Sequence, residues 1–197
     1  MVTKDVVLDA GNLLVAAIVV YLLAETLATR ARNRNTDGEK TRDGGSLVLI
    51  LLSLLVALAI ALLGRRFVPA LELPGPVLVW AVVGAPVCVA GMALRLSAIR
   101  TLGRAYSTVV TIQPGQEVVT DGPYRLVRHP AYTGLLLMAL GAGIACGHAV
   151  AIAASVALPL PALVYRIRIE EPVLVRGLGE SYGAYARTKK RLIPGVW

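Results

Sequence analysis

The chain has 197 residues, enough for one ordinary domain, and 56% of them are hydrophobic, with a mean hydropathy of +0.70. Only 16% are charged, which is too little polar surface for a soluble domain of this size, so the composition predicts an integral membrane protein. The formal net charge of +8 would suit nucleic acid. In a membrane protein the positions of charges matter more than their sum, and we expect no nucleic-acid partner.

Five apolar runs predict an all-α integral membrane bundle with about five transmembrane helices. In chain order they cover about residues 6–28, 47–64, 77–99, 131–147 and 149–167. A helix needs roughly 20 residues to cross about 30 Å of hydrocarbon, and the first three runs reach that length. The last two are shorter and are separated only by Gly147 and His148, which predicts a tight helical hairpin.

The few polar or reactive residues within the runs have simple interpretations. Asp9 and Glu25 lie near the two ends of the first run, where we expect both carboxylates to be solvated. Cys88 and Cys146 lie in apolar runs without a neighbouring cysteine or metal-ligand set, so we expect buried free thiols and no metal site.

The distribution of lysine and arginine predicts the orientation. These residues are concentrated after the first run, after the third run and in the tail, whereas the other side holds only Lys4, Arg65 and Arg66. The positive-inside rule then places the N-terminus outside and segment 100–130 and the tail in the cytoplasm. High alanine, valine, leucine and arginine usage is typical of a GC-rich bacterial source, so we expect a bacterial inner (plasma) membrane.

The predicted cytoplasmic segment 100–130 combines strand-like and motif-like stretches. Residues 108–112 and 117–120 have the β-propensity of two short strands joined by a turn. Pro130 suits the first turn of the fourth helix, and His129 before it is pushed toward extended geometry. The histidine ring can then point off the helix N-terminus, where free N–H groups suit an acceptor such as a carboxylate.

The end of the fifth run carries a second cluster of charges. Arg166 and Glu170 are four residues apart and share a helix face, and Pro172 is expected to break or bend the helix. The adjacent carboxylates Glu170 and Glu171 could be solvated, could pair with nearby arginines or could bind a cationic group.

Several other polar features also allow purely structural interpretations, which the residues alone leave open. His129 could be an interfacial histidine, Gly141 and Gly143 could pack helices, and the basic tail could bind anionic lipid headgroups. An aromatic belt could explain the tyrosines of this half of the chain, Tyr124, Tyr132, Tyr182 and Tyr185.

Taken together, these stretches resemble the isoprenylcysteine carboxyl methyltransferase family. Its members are membrane enzymes that use S-adenosylmethionine, and membrane phospholipid methyltransferases are related to them. The resemblance covers about residue 102 to the C-terminus. It rests on LGRAYS (102–107), TDGPYRLVRHPAYTG (120–134), LGAG (140–143), RIRIEEPVL (166–174) and LGESYGAYARTKKRLIP (178–194).

The resemblance implies a bundle whose cytoplasmic helix ends and tail enclose the cofactor, with a lateral opening toward lipid. It implies a cofactor site that contains Arg128, His129, Tyr132, Gly134, Gly141, Gly143, Glu170, Glu171, Tyr182 and Tyr185. The candidate catalytic residues are Arg166, Arg168, Glu171 and His129. Leu178 stands where the family usually has an aromatic residue, and Pro172 directly follows the acidic pair.

The predicted organisation has two parts. Residues 1–99 form three membrane helices with a cytoplasmic loop at 29–46. Residues 100–197 form a catalytic region, made of the cytoplasmic segment 100–130, the hairpin 131–167 and the tail 168–197.

The predicted function is methyl transfer from S-adenosylmethionine, leaving S-adenosylhomocysteine, to a lipophilic acceptor drawn from the bilayer. This acceptor is expected to be an isoprenylcysteine-type carboxylate or another isoprenoid-like lipid. The expected partners are this substrate and membrane lipids, and the sequence does not predict an oligomeric state. Three alternatives remain: a phospholipid N-methyltransferase, a sterol-type membrane reductase that binds NADPH through the basic run 187–191, and a non-enzymatic membrane protein.

Overall fold

Six α-helices make up most of the described chain. The computed structural model describes residues 10–32, 44–107, 112 and 115–197. The helices are α1 (Ala10–Arg32), α2 (Ser46–Phe67), α3 (Val77–Leu102), α4 (Pro130–Ala145), α5 (Ala149–Ala157) and α6 (Pro159–Thr188). Short 3-10 turns occupy Pro69–Leu71, Gly103–Ala105 and Gly122–Arg125. The predicted all-α fold class is confirmed.

The apolar helices coincide with the predicted membrane runs. Three are long and apolar enough to cross a bilayer, namely Ser46–Gly64, Val77–Leu102 and Ala149–Thr188. Two shorter apolar helices, Ala16–Ala28 and Pro130–Ala145, match the first and fourth runs. Val20, Leu78 and Val82 are 65%, 72% and 64% exposed, as expected for side chains that face lipid. The protein is an integral membrane helical bundle.

The fifth run and the segment after it differ from the prediction at two points. It is divided at Leu158, because Pro159 cannot donate a backbone hydrogen bond and instead begins α6. Helix α6 then passes through Pro172, so the predicted break there is wrong. The fixed φ of proline is compatible with a helix, and the interruption lies at Gly179, whose φ of 62° glycine adopts without steric cost.

Helices α3 and α4 pack in an antiparallel pair at very short range. A Cβ atom added to Gly84 would lie 2.3 Å from the carbonyl oxygen of Gly141, and one added to Gly91 would lie 2.6 Å from that of Gly134. Such backbone contact is possible only where side chains are absent, as in other small-residue interfaces of membrane helices. This interface holds the first turn of α4 against the inner end of α3.

Gly84→Val is expected to destabilise the bundle, because the added side chain would collide with the backbone of α4. Overpacking of this kind costs about 1–3 kcal/mol or more. The midpoint of thermal unfolding in detergent measures the effect. Val82→Ile, at an exposed position of the same helix, is the control, and an equal midpoint for the two variants would contradict the packing argument.

The turn between α4 and α5 is anchored to the end of α2. Gly147 has a φ of 62°, and its carbonyl oxygen accepts a hydrogen bond from the backbone N–H of Leu73 at 2.9 Å. His148 is fully buried, and its Nε2 lies 3.1 Å from the carbonyl oxygen of Val68. Cys88 and Cys146 are buried free thiols, as predicted.

Other predictions concern the loops. Most of the stretch 108–112, predicted as a strand, lies outside the described residues, as do Asp9 and most of the loop 29–46. Residues 117–120 are described and form no strand, because no other described segment pairs with them. That predicted strand is therefore wrong, and this stretch is an extended wall of the cavity described next.

Candidate active site

A cavity opens between the start of α4, the second half of α6 and the segment that follows α3. The empty space between its lining residues is about 870 Å³, which includes open solvent at its mouth. Tyrosines dominate its wall, together with His129 and several charged residues. The five tyrosines are Tyr106, Tyr124, Tyr132, Tyr182 and Tyr185. Burial and the nearby carboxylate of Glu170 raise the pKa of the Tyr124 phenol well above its usual range, so this phenol stays neutral.

His129 occupies the N-cap position of α4, where its backbone leaves the helical region with φ −125° and ψ 58°. Its side chain is buried, and its ring stacks on that of Tyr132 with centroids 5.5 Å apart and planes 12° apart. Both rings line the cavity. The position agrees with the expectation that a histidine before Pro130 points its ring off the helix end.

Glu170 and Arg166 are joined through Tyr132. The Tyr132 hydroxyl donates to Glu170 Oε2 at 2.6 Å and accepts from Arg166 Nε at 2.7 Å. Arg166 Nη1 also donates to the Ser46 hydroxyl at 3.1 Å, which connects the site to the start of α2. Tyr132, Arg166 and Glu170 all line the cavity, so an anionic and a cationic group share one wall.

Glu171 serves a different contact from its neighbour. Its carboxylate lies 2.7 Å from Arg128 Nη1 and 2.8 Å from Arg191 Nη2, and His129 Nε2 lies 3.4 Å away. Unlike Glu170, it is not part of the cavity wall. The two carboxylates of the acidic pair therefore have different surroundings, because successive residues of a helix point about 100° apart. A direct contact of Glu171 with the cofactor or substrate is not supported.

The two candidate arginines are also separated. Arg166 is only 4% exposed and lines the cavity, whereas Arg168 is exposed and is not on its wall. The two residues lie two positions apart on one helix and therefore face different directions. The predicted catalytic role of Arg168 stays a prediction, and the position of this residue away from the cavity does not favour it.

The tail contributes two tyrosines with different environments. Tyr185 donates to the carbonyl oxygen of Tyr124 at 2.8 Å, which satisfies its hydroxyl. The Tyr182 hydroxyl is buried on the cavity wall and has no hydrogen-bond partner among the described residues. A buried polar atom without a partner is costly, so this hydroxyl is available for a ligand. Arg128 Nε is likewise buried without a hydrogen-bond partner among the described residues, so it is also available for a ligand.

The glycines predicted for the cofactor site lie elsewhere. Gly134 and Gly141 are packed against α3, and a Cβ on Gly143 would lie 2.4 Å from the Ser155 hydroxyl oxygen of α5. None of the three is on the cavity wall. Their contacts favour helix packing, the interpretation that the sequence left open, and their place in the cofactor site stays a prediction.

The end of the chain is tied to the His129 segment. The backbone N–H of Arg128 donates to the carbonyl oxygen of Lys190 at 2.8 Å, and that of His129 donates to Arg191 at 3.0 Å. Leu192 is buried, and the Arg191 guanidinium lies 5.2 Å from the ring centroid of Trp197. With the Glu171 carboxylate, these contacts form a clamp that holds the tail beside the cavity.

A buried ion pair between α1 and α3 was not predicted from the sequence. Glu25, expected to be solvated, has a side chain only 11% exposed and forms a bidentate pair with Arg95, with distances of 2.7 and 3.0 Å. The Tyr106 hydroxyl also donates to Glu25. The available signal was opposite charge within two apolar runs, because such residues pair when they lie at membrane depth.

Comparison with known proteins agrees with this architecture. The sequence model of the isoprenylcysteine carboxyl methyltransferase (ICMT) family matches residues 82–176. Protein-S-isoprenylcysteine O-methyltransferase B of Arabidopsis thaliana is 29% identical over 115 residues, which cover 57% of this chain and 58% of that protein. The Schizosaccharomyces pombe protein-S-isoprenylcysteine O-methyltransferase is 34% identical over 106 residues, covering 53% of this chain and 45% of that protein. The chain thus spans about half the length of the curated relatives it matches.

A solved structure has a similar fold. It is described as the eukaryotic intramembrane Ras methyltransferase ICMT, without a monobody, and it is 23% identical to this chain with a TM-score of 0.70. The superposition covers 99% of this chain and 70% of that one.

The fold and the site together define a polytopic membrane protein with a tyrosine-walled, charged cavity beside its helix ends. Within that class, the matched region and the shared fold confirm the resemblance to the ICMT family that the motifs indicated.

Proposed function

We propose that this protein transfers a methyl group from S-adenosylmethionine to the carboxylate of a lipophilic acceptor. One observation carries the proposal: two motifs that resemble the family, around His129 and around Glu170, contribute side chains to the same cavity. The match of residues 82–176 to the ICMT family supports the same conclusion.

The cavity suits the proposed donor in its charges and its orphaned polar atoms. The Glu170 carboxylate is on the wall and would hold an ammonium group, while the unpartnered Tyr182 hydroxyl and Arg128 Nε offer further hydrogen bonds. The surrounding tyrosine rings would exclude water. When bound, S-adenosylmethionine supplies a methyl group on a sulfonium, and a dry site favours its transfer because charge is lost in the reaction.

The acceptor carboxylate would be oriented by Arg166. This guanidinium is buried, is held in place by Tyr132 and Ser46, and lines the cavity. Guanidinium groups match the planar geometry of carboxylates. Methylation of a carboxylate needs no proton removal, so the residues here have to align the two reactants, which is a large part of such catalysis.

The proposed orientation places the N-terminus outside and the cavity on the cytoplasmic face of a plasma membrane, where a soluble donor is found. The distribution of lysine and arginine supports this arrangement. A bacterial inner membrane remains a prediction from composition alone.

The position of the basic run, which was expected to bind the extra phosphate of NADPH, does not favour the reductase alternative. No residue of the basic run 187–191 lines the cavity. Arg187 is exposed and pairs with Glu180 at 2.6 Å, and Arg191 is held by Glu171.

Titration calorimetry of the detergent-solubilised protein tests the donor. We expect S-adenosylhomocysteine to bind with one site per chain and NADPH to give no heat of binding. Methyl transfer to an N-acetylated S-farnesyl cysteine then tests the acceptor class, with a phosphatidylethanolamine as the amine control. Binding of NADPH but not S-adenosylhomocysteine would contradict the proposal, and methylation of the amine lipid alone would contradict the carboxylate assignment.

A further inference from the structure

A second cavity lies beside the first, between the inner halves of α1, α2, α3 and α4. The empty space between its lining residues is about 460 Å³, which includes open solvent at its open side. Most of its wall is aliphatic, from Leu22, Leu47, Ile50, Leu51 and Leu135. Its polar end holds Glu25, Arg95 and Arg166. A wall that combines aliphatic side chains with a few charged groups suits an acceptor that has an apolar chain and a polar group.

The two cavities share part of their walls. Tyr106, Ser107, Tyr132 and Arg166 line both of them. Tyr132 and Arg166 are fixed by the hydrogen bonds to Glu170 and Ser46. Tyr106 lies instead on the segment after α3, and its position depends on contacts with α1 and α3.

The Glu25–Arg95 pair holds Tyr106 in place. The Tyr106 hydroxyl donates to Glu25 Oε1, and Arg95 Nη2 lies 3.3 Å from the same hydroxyl. Arg95 Nη1 also donates to the carbonyl oxygen of Ala131 at 2.9 Å, two residues after His129. The network therefore connects the first membrane helix, which lies outside the family match, to the shared wall and to the start of α4.

We infer that Glu25, Arg95 and Tyr106 form a positioning network that sets how the lipophilic acceptor in the second cavity meets the donor in the first. Tyr106 belongs to the shared wall, and Glu25 and Arg95 hold its hydroxyl in place. The inference rests on the proposed function. Tyr106 lines the donor cavity as well, but its hydroxyl is bound by Glu25 and Arg95, which are not on that wall. Loss of these hydroxyl contacts is therefore expected to affect acceptor binding more than donor binding.

Two substitutions test the network with different risks to folding. Glu25→Gln removes the carboxylate and leaves Arg95 buried without its charge partner, which can be strongly destabilising. Tyr106→Phe removes only the hydroxyl and keeps both the ring and the ion pair. Matched controls are Glu180→Gln and Tyr165→Phe, since these side chains are exposed and line neither cavity.

The measurements are the KM for an N-acetylated S-farnesyl cysteine at saturating donor, the Kd for S-adenosylhomocysteine, and the thermal midpoint. We expect Tyr106→Phe to raise the acceptor KM by about threefold or more and Glu25→Gln by about tenfold, on the scale of one lost hydrogen bond. The Kd for S-adenosylhomocysteine should stay within about twofold of the wild-type value, and the controls should change neither quantity.

A purely structural role would instead weaken donor and acceptor binding by the same factor, and that result would overturn the inference. An unchanged acceptor KM in folded Tyr106→Phe protein would also overturn it, whether or not Glu25→Gln folds. Failure of the proposed function is distinguishable, because wild-type protein would then neither bind S-adenosylhomocysteine nor methylate the acceptor, and the inference would fall with it.

Discussion

Glu170→Gln is expected to weaken binding of S-adenosylhomocysteine by about tenfold or more, because a hydrogen bond to a charged group contributes about 1.5–3 kcal/mol. The amide keeps the shape of the side chain and a partner for the Tyr132 hydroxyl, but it removes the negative charge from the cavity wall. Calorimetric titration of the solubilised variant measures the loss.

Glu171→Gln separates a binding role from a clamping one. This carboxylate bonds Arg128 and Arg191 and is not on the cavity wall. Its loss should lower the thermal midpoint of the protein without donor and should weaken donor binding less than Glu170→Gln does. Glu180→Gln, at an exposed position of the same helix, should change neither property. A larger loss of donor affinity in Glu171→Gln than in Glu170→Gln would reverse the assignment.

Arg166→Gln is expected to lower the rate of methyl transfer by about a hundredfold, because a misplaced acceptor loses alignment with the donor. Initial rates with a farnesylated cysteine at saturating donor measure this loss. The Kd for S-adenosylhomocysteine should change by less than about threefold, because the proposed contact of Arg166 is with the acceptor.

Arg168→Gln provides the matched control for this arginine, since Arg168 is exposed two residues further along α6. It should retain wild-type rates. Equal loss in the two variants would mean that a general effect of charge on α6 is responsible, and the assignment of Arg166 would have to be withdrawn. Arg166 is buried against Tyr132 and Ser46, so the thermal midpoint is recorded to separate misfolding from lost chemistry.

Much of the fold follows from local features of the sequence. Uncharged runs of about 20 residues predict membrane helices because an unpaired polar backbone cannot be tolerated in hydrocarbon. The five predicted runs match the helices for this reason, although Pro159 divides the last of them. The position of the interruption inside α6 was harder to predict. Pro172 has a φ that a helix accepts, and nothing in the sequence singles out Gly179 among the many glycines.

The candidate site was predicted in part. The motifs around His129 and Glu170 were identified from the sequence, and the structure brings those residues to one cavity. The sequence did not distinguish Glu170 from Glu171 or Arg166 from Arg168, because each pair belongs to one short stretch of one helix. It also missed the Glu25–Arg95 pair, whose members are far apart along the chain and are joined only by the packing of α1 on α3.

Composition and local pattern by themselves determined that this chain is a helical membrane protein and which short stretches carry its chemistry, because hydropathy and motif spacing are properties of neighbouring residues. Only the tertiary structure decided which side chains face the cavity. A rotation of α6 by about 100° would exchange Glu170 for Glu171, and that rotation is set by contacts such as Arg166 with Tyr132 and Ser46. The surroundings of the glycines of α4 were decided in the same way, since α3 packs against Gly134 and Gly141 and α5 packs against Gly143.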